Sequence, residues 1–287
     1  MKTKTKTILL AIVLCCVIVS CERDPDFVKG QYLYENHELT YVNGLLIQWG
    51  SDDLSVDVKD AVWEIVTSMV YVNGGTFSMG SENTAFPNEQ PIHKVTLSDY
   101  YLAKVTITQK QWTTIMGENP LWSENYGKGD DFPANFISYE QAKQFISRLI
   151  RYSGLHFRMP TEAEWEYAAC GGQHSQGYGY SGSDDANKVA WHRGNANGTM
   201  HPVAKLVPNE LGLYDMSGNV WEWCSDWYGI YPYGSVTNPT GPSTGTIRVV
   251  RGGSFTYDAE FSRCKTRNYL PETNQSLAVG LRLAISK

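Results

Sequence analysis

The chain has 287 residues, 42% of them hydrophobic, and a formal net charge of -6, from 24 Lys and Arg against 30 Asp and Glu. An acidic chain without a basic block is a poor ligand for nucleic acid, because that affinity depends on Lys and Arg neutralising phosphates, so we expect no nucleic-acid partner. The length allows one or two domains. The 26 Gly, 18 Tyr and 9 Trp are typical of a loop-rich fold in which large side chains fill the interior.

Residues 1–20 predict a lipoprotein signal peptide. Lysines at positions 2, 4 and 6 precede an apolar run from Ile8 to Val19, and Ser20 and Cys21 follow. The run is shorter than the roughly 20 residues that span a bilayer, so it is typical of a cleaved signal and not of a membrane helix. IVSC is similar to a bacterial lipobox, which makes Cys21 the lipidated first residue, with ordinary cleavage as the alternative. Loss of three lysines takes the net charge from -6 to -9. We therefore expect a lipid anchor in the cell envelope, at the outer membrane of a Gram-negative bacterium, with the periplasmic or surface face left open.

Residues 21–68 are predicted to form a tether and a packing helix. Within LTYVNGLLIQWG (39–50), Asn43-Gly44 is a favourable hairpin turn. From Asp57 to Met69, apolar residues recur at helical spacing, which predicts an amphipathic helix.

A compact domain is predicted over residues 69–287. VYVNGGTFSMG indicates a strand, a glycine turn and a second strand. Three further helices are indicated by capping boxes, in which a Ser or Thr precedes a Glu or Gln by three residues. Their pairs are Thr108 with Gln111, Ser138 with Gln141, and Thr161 with Glu164. Beyond residue 172 we expect mostly loops and short strands.

Four segments, taken in order, resemble the formylglycine-generating enzyme family, also called sulfatase-modifying factors. They are MVYVNGGTFSMGS (69–81), RMPTEAEWEYAACGG (158–172), NELGLYDMSGNVWEWCSDWYG (209–229) and RVVRGGSF (248–255), and VGLRLA (279–284) closes the series. The resemblance implies an α+β fold related to C-type lectins, with few short helices, a small antiparallel sheet and much ordered coil.

Active members of that family oxidise a substrate cysteine to formylglycine with O2 and a copper(I) ion held between two cysteine thiolates. Soft Cu(I) favours thiolate ligands. The resemblance places the first of these positions at Tyr257 and the second at or beside Ser262, and Cys264 is the only thiol in the segment. Copper is therefore not expected, and Cys264 is a weak catalytic candidate. Cys170 or Cys224 could approach Cys264 in space, as a disulfide partner or as a second copper ligand.

Structural calcium is expected from the resemblance. Its ligands would be the side chains of Asp215 and Glu222 and the carbonyl groups of Gly218 and Val220. Hard Ca²⁺ prefers such oxygen ligands. Alternatively, the two acids cap turns or pair with arginines. A second site would use the side chain of Asn195 and the carbonyl of Asn197.

The resemblance favours a binding or assembly scaffold, with residues 255–278 as its recognition surface and an envelope protein or a glycan as its partner. The candidate contact residues are Tyr257, Asp258, Phe261, Ser262, Lys265 and Asn268. The alternative is a formylglycine-generating oxidase. Aromatic loops near 176–180 and 226–234 are candidates for stacking on a ligand or for packing. Four arginines, at positions 251, 263, 267 and 282, are expected to pair with the surplus acids.

Overall fold

The computed structural model describes residues 31–34, 37–50, 53–118 and 120–287, with the side chains included from residue 42 onward. The predicted signal peptide and Cys21 lie outside these residues. No helix in the described part of the chain is long and apolar enough to cross a membrane.

Five helices lie in the described residues. They are α1 (Val56–Thr67), α2 (Gln109–Met116), α3 (Tyr139–Ser153), α4 (Glu162–Ala169) and α5 (Ala186–Val189). The three predicted capping boxes are confirmed at α2, α3 and α4, where the cap side chain and the Glu or Gln side chain each accept a backbone N–H. The helix predicted from Asp57 to Met69 is confirmed as α1, with Ser55 as its N-cap.

Sixteen strands are present in the same residues, and most have four residues or fewer. They are β1 (Gln31–Tyr34), β2 (His37–Val42), β3 (Leu45–Gln48), β4 (Met69–Val72), β5 (Gly75–Met79), β6 (His93–Leu97), β7 (Tyr100–Ala103), β8 (Phe157–Arg158), β9 (Ala190–Trp191), β10 (Ser217–Gly218), β11 (Trp221–Trp227), β12 (Val236–Thr237), β13 (Arg248–Arg251), β14 (Arg267–Leu270), β15 (Val279–Gly280) and β16 (Ala284–Ser286).

The strands form five small sheets, in keeping with the α+β fold that the resemblance implies. Their orders are β1-β2-β3, β4-β7-β16-β8, β12-β6-β5, β14-β13-β11-β15 and β10-β9. Most pairs are antiparallel, but β9–β10, β11–β15 and β6–β12 are parallel. The predicted hairpin at Asn43-Gly44 is confirmed between β2 and β3. The strands on either side of Gly74 do not pair with each other, because β4 joins β7 and β5 joins β6.

Two hydrophobic clusters fill the interior. One lies under α1, α2 and α3 and includes the stacked rings of Trp112 and Phe145, whose centroids are 5.1 Å apart. The other surrounds α4 and includes Trp165, Tyr100 and Cys264. The α+β class is confirmed, and α4 is the element that carries charged groups into the interior.

Candidate functional site

A buried ion network joins α4 to the end of β13. Glu162 and Glu166 are four residues apart, so they lie on the same face of α4. Arg251 donates through Nη1 to Glu162 Oε1 at 2.9 Å and through Nη2 to Glu166 Oε2 at 2.6 Å. Arg267 donates through Nε and Nη2 to the two oxygens of Glu162, at 2.6 and 2.8 Å. These pairs hold β13 and β14 against the helix.

Burial alone would raise the pKa of Glu162, but the guanidinium groups of Arg267 and Arg251 outweigh it and lower that pKa. The predicted pairing of the arginines with acids is confirmed for all four. Arg263 binds Glu89 at 2.6 Å, and Arg282 binds Glu222 at 2.7 Å. These residues are therefore structural, and they do not form a surface for anions.

The RGGS turn places residues 261–264 against the network. Gly253 has φ +79, and a Cβ there would lie 2.5 Å from Ser262 Oγ and 2.8 Å from the carbonyl oxygen of Phe261. A side chain does not fit this approach, so the glycine is required by space as well as by backbone conformation. Arg251 Nη2 also donates to the carbonyl oxygen of Cys264, at 2.8 Å.

Neither family thiol position presents a reactive group. The ring of Tyr257 packs edge-to-face against Trp221, with centroids 5.5 Å apart, and against Phe261. Ser262 is 0% exposed, and its Oγ has no hydrogen-bond partner. The assignment of Ser262 to a recognition surface is therefore wrong, because the close approach of Gly253 encloses its side chain.

Cys264 is turned inward and lies beside Cys170. Its Sγ donates to the carbonyl oxygen of Ala169 at 3.3 Å. The hydrogen bond with the Cys170 thiol, followed by burial, raises the pKa of Cys264 well above its ordinary value. Cys224 is also a free, buried thiol, and burial raises its pKa as well. Both thiols of the Cys170–Cys264 pair are free.

A bis-thiolate copper site does not fit this arrangement. Cu(I) is bound by deprotonated and reachable thiols. Cys264 is 1% exposed, and its raised pKa keeps the thiol protonated at neutral pH. Of the remaining proposed contact residues, Asp258 is exposed and is paired with Arg193 at 3.1 Å, while Tyr257, Phe261, Lys265 and Asn268 are half-buried.

The proposed calcium residues lie at the β10–β11 turn. Both oxygens of Glu222 accept from Arg282 Nε, at 3.0 and 2.9 Å, and Oε2 also accepts from Trp165 Nε1 at 2.6 Å. Arg282 thus neutralises the Glu222 carboxylate without a metal, as expected if this acid pairs with an arginine. A Ca²⁺ ion would have to share Glu222 with Arg282.

Asp215 is the more available of the two acids. Its Oδ2 accepts from the backbone N–H of Ala204 at 2.8 Å. Burial raises the pKa of Asp215 to about 6. Gly218 lies in β10 and Val220 just before β11. In the described residues no group of three or more His, Cys, Asp or Glu is arranged to hold a metal ion. Calcium therefore stays a prediction that depends on Asp215 and backbone carbonyl groups.

The second calcium site is less favourable. The side-chain oxygen of Asn195 accepts from the backbone N–H of His192 at 2.8 Å, and its amide donates to the carbonyl of Ala190 at 2.9 Å. Asn197 has a positive φ of 54°. The side chain of Asn195 is thus already used to hold its own turn.

A cavity of about 490 Å³ lies beside the ion network. We call it the Asp226 pocket. Its polar and charged lining side chains are His93, Glu162, Asp226, Tyr231, Thr237, Thr240 and Arg267, and the remaining walls are largely apolar. Asp226 was not among the predicted site residues. The only sequence signal was the aromatic loop 226–234, which supplies the rim of the pocket.

The fold, the buried network and the RGGS turn together define a sulfatase-modifying factor scaffold. The model of the sulfatase-modifying factor enzyme 1-like domain matches residues 56–287, so the chain belongs to this family. The match includes α1, which precedes the predicted domain start at residue 69.

Several proteins are similar to the chain. The chaperone protein LppX of Paenibacillus barcinonensis is 31% identical over 237 residues, which covers 65% of this chain and 78% of LppX. A formylglycine-generating enzyme of Thermomonospora curvata is 29% identical over 255 residues, which covers 67% of this chain and 84% of that enzyme. The serine/threonine-protein kinase pkn1 of Chlamydia pneumoniae matches with 31% identity, but the chain spans only 35% of its length.

Among solved structures, Treponema denticola variable protein 1 matches with a TM-score of 0.69 and 24% identity, covering 88% of this chain and all of that one. This likeness concerns the fold alone.

Proposed function

We propose that the chain is a binding or assembly protein of the bacterial cell envelope, built on a sulfatase-modifying factor scaffold that lacks the copper oxidase site. The observation that carries the proposal is the position of Cys264. Its thiol points to the carbonyl oxygen of Ala169 inside the protein and is 1% exposed. A substrate thiol could not reach it without rearrangement of the RGGS turn and the segment that follows it.

The similarity to LppX, which is named as a chaperone protein, supports an accessory role. The apolar run and IVSC sequence at residues 8–21 support lipidation of Cys21, and with it attachment to the envelope membrane, at the outer membrane if the cell is Gram-negative. The partner would be an envelope protein or a glycan, contacted through exposed parts of residues 255–278 and the 226–234 loop. Structural Ca²⁺ at Asp215 would brace the scaffold.

The alternative is a formylglycine-generating oxidase. It is favoured by the similarity to the Thermomonospora curvata enzyme and by the proximity of Cys170 to Cys264. We therefore test the proposal by incubating the purified protein with Cu(I), O2 and a C-x-P-x-R peptide and following the peptide by mass spectrometry.

We expect no loss of the cysteine mass and no formylglycine product, while an active family enzyme converts the same peptide in parallel. Conversion that disappears in Cys264→Ser would overturn the proposal. The anchor is tested separately by labelled fatty acid, which we expect to enter the wild-type protein but not Cys21→Ala. Equal labelling of both would contradict the anchor.

A further inference from the structure

The Asp226 pocket contains a carboxylate without a cation. Asp226 is 3% exposed. Its Oδ2 accepts from the backbone N–H of Glu162 and from Ser225 Oγ, each at 3.0 Å. Within the described residues, Oδ1 accepts no hydrogen bond and Asp226 has no ion-pair partner. Buried carboxylates are normally paired, so this group is available for a ligand.

The charges around the pocket do not balance. The network and the pocket contain three carboxylates, on Glu162, Glu166 and Asp226, against two guanidinium groups, on Arg251 and Arg267. With Asp226 ionised, one negative charge is in excess. Both arginines are committed to the two glutamates, which leaves Asp226 as the unbalanced charge. A ligand with one positive charge would neutralise the cluster.

The walls of the pocket fit an apolar stem. The side chains that line it around Asp226 are mainly aliphatic, proline and aromatic, and include Met79, Ala163, Trp227, Ile230, Pro232 and Pro242. Ile230 is 89% exposed, so an apolar side chain stands at the rim in open solvent. Exposed apolar groups beside a pocket with a few polar groups are typical of a ligand site.

We propose that the Asp226 pocket binds one cationic group, a guanidinium or a primary ammonium, carried on an apolar stem, with the charge held at Asp226 Oδ1. This inference rests on the proposed binding function and names a ligand chemistry for it. The group could come from an arginine or lysine side chain of a polypeptide partner or from a free amine.

Binding should depend on pH through the pocket. Burial, followed by the charge of Glu162, raises the pKa of Asp226 to about 7. The other titratable or charged groups around Asp226 are Tyr139 on α3, Glu162 and Glu164 on α4, His93 on β6, Cys224 on β11, Tyr231 in the 226–234 loop and Arg267 on β14. Because a proton and the ligand compete for Asp226, affinity at pH 6 should be about tenfold lower than at pH 8.

The test is calorimetric titration with three probes: the peptide acetyl-Leu-Arg-Leu-amide, its citrulline counterpart and n-butylguanidine. Citrulline keeps the shape of arginine without the charge. We expect saturable binding of the arginine peptide, about tenfold or greater weakening with citrulline, and a similar loss in Asp226→Asn. Glu140→Gln, a change at an exposed acid on α3, should leave binding unchanged.

His93→Gln removes the imidazole from the pocket, and the pH dependence should persist in this variant because it arises from Asp226. Tighter binding of the peptide than of n-butylguanidine would identify a polypeptide as the source of the cation, and equal binding would identify a small free cation. Equal affinity for arginine and citrulline, unchanged binding in Asp226→Asn, or no saturable binding at millimolar probe would overturn the inference. Peptide oxidation with copper tests the proposed function separately, so failure of one proposal is distinguishable from failure of the other.

Discussion

At the scale of single residues, burial decides the chemistry of the polar side chains. Cys264 and Asp226 are both nearly inaccessible, and each has a raised pKa. The thiol is protonated at neutral pH and faces the interior, whereas the carboxyl lines an open pocket. Cys264 is therefore expected to be unreactive, whereas Asp226 is the residue through which we propose that the pocket binds a cation.

We expect slow alkylation of Cys264 in the folded protein. Its thiolate is disfavoured, and only the thiolate reacts with iodoacetamide. Peptide mapping after brief labelling at pH 8 should find Cys170, which is half-buried, modified ahead of Cys264. After unfolding in guanidinium the two should react alike. Faster labelling of native Cys264 would contradict its inward position.

Asp226→Asn should stabilise the protein at pH 8. The pKa of Asp226 is raised from 3.8 to about 7, so ionisation costs folding free energy as the pH rises from about 4 to above 7. A pKa difference of one corresponds to about 1.36 kcal/mol, so the rise from 3.8 to about 7 corresponds to about 4 kcal/mol. Relaxation of the protein around the ionised carboxylate should reduce the measured gain in stability to about 1–3 kcal/mol. Urea unfolding should show a clearly larger gain at pH 8 than at pH 4.5. A gain of equal size at both pH values would indicate a cause other than charge.

At the scale of elements, the ion network joins α4 to β13 and β14. Arg251 is the central member, since it is 0% exposed and binds a glutamate on each of two successive turns of α4. The network holds the RGGS turn in place. The RGGS turn then positions the segment that carries Ser262 and Cys264.

Arg251→Met should destabilise the protein by about 3–5 kcal/mol, because it leaves buried glutamates with reduced compensation. The cost should be smaller at pH 5 than at pH 8, since the pKa of Glu162 rises once a guanidinium is lost. Lys143→Met removes an exposed pair with Glu140 and should change the free energy of unfolding by no more than about 1 kcal/mol. Similar losses in the two variants would contradict the central role of Arg251.

Gly253→Ala should cost more than Gly177→Ala. Both glycines have positive φ, +79° and +77°, so each alanine has a similar backbone cost of about 1–2 kcal/mol. Only at Gly253 would the Cβ meet Ser262 Oγ, at 2.5 Å, while nothing lies within 4 Å at Gly177. In guanidinium unfolding, the free energy of unfolding of Gly253→Ala should therefore be lower than that of Gly177→Ala by about 1 kcal/mol or more. Equal losses would mean that the turn adapts to a side chain.

At the scale of the whole molecule, short elements and long coil are held together by buried charge pairs and by two hydrophobic clusters. Calcium would add to this bracing. If it binds at Asp215, millimolar Ca²⁺ should raise the melting temperature of the wild-type protein, and Asp215→Asn should reduce that shift. Mg²⁺ serves as the matched control ion. An absence of any shift with Ca²⁺ would contradict the calcium site and would mean that Arg282 and Trp165 hold Glu222 without a metal.

The sequence predicted what depends on local signals. The capping boxes located α2, α3 and α4, and Asn43-Gly44 located a hairpin, because these signals act over a few residues. The partners of short strands were not predictable, since β4 and β5 flank one glycine turn and yet pair with β7 and β6, not with each other. The burial of Ser262 and the open carboxylate of Asp226 arise from contacts between distant segments, which no local pattern records.

The most direct test of the central claim is an anaerobic titration of Cu(I) into the wild-type protein and Cys264→Ser, with a competing chelator to report affinity. A scaffold without an oxidase site should bind no tight stoichiometric copper that depends on Cys264. One tight equivalent in the wild-type protein that is lost in Cys264→Ser would contradict the account and would make the Cys170–Cys264 pair a copper site.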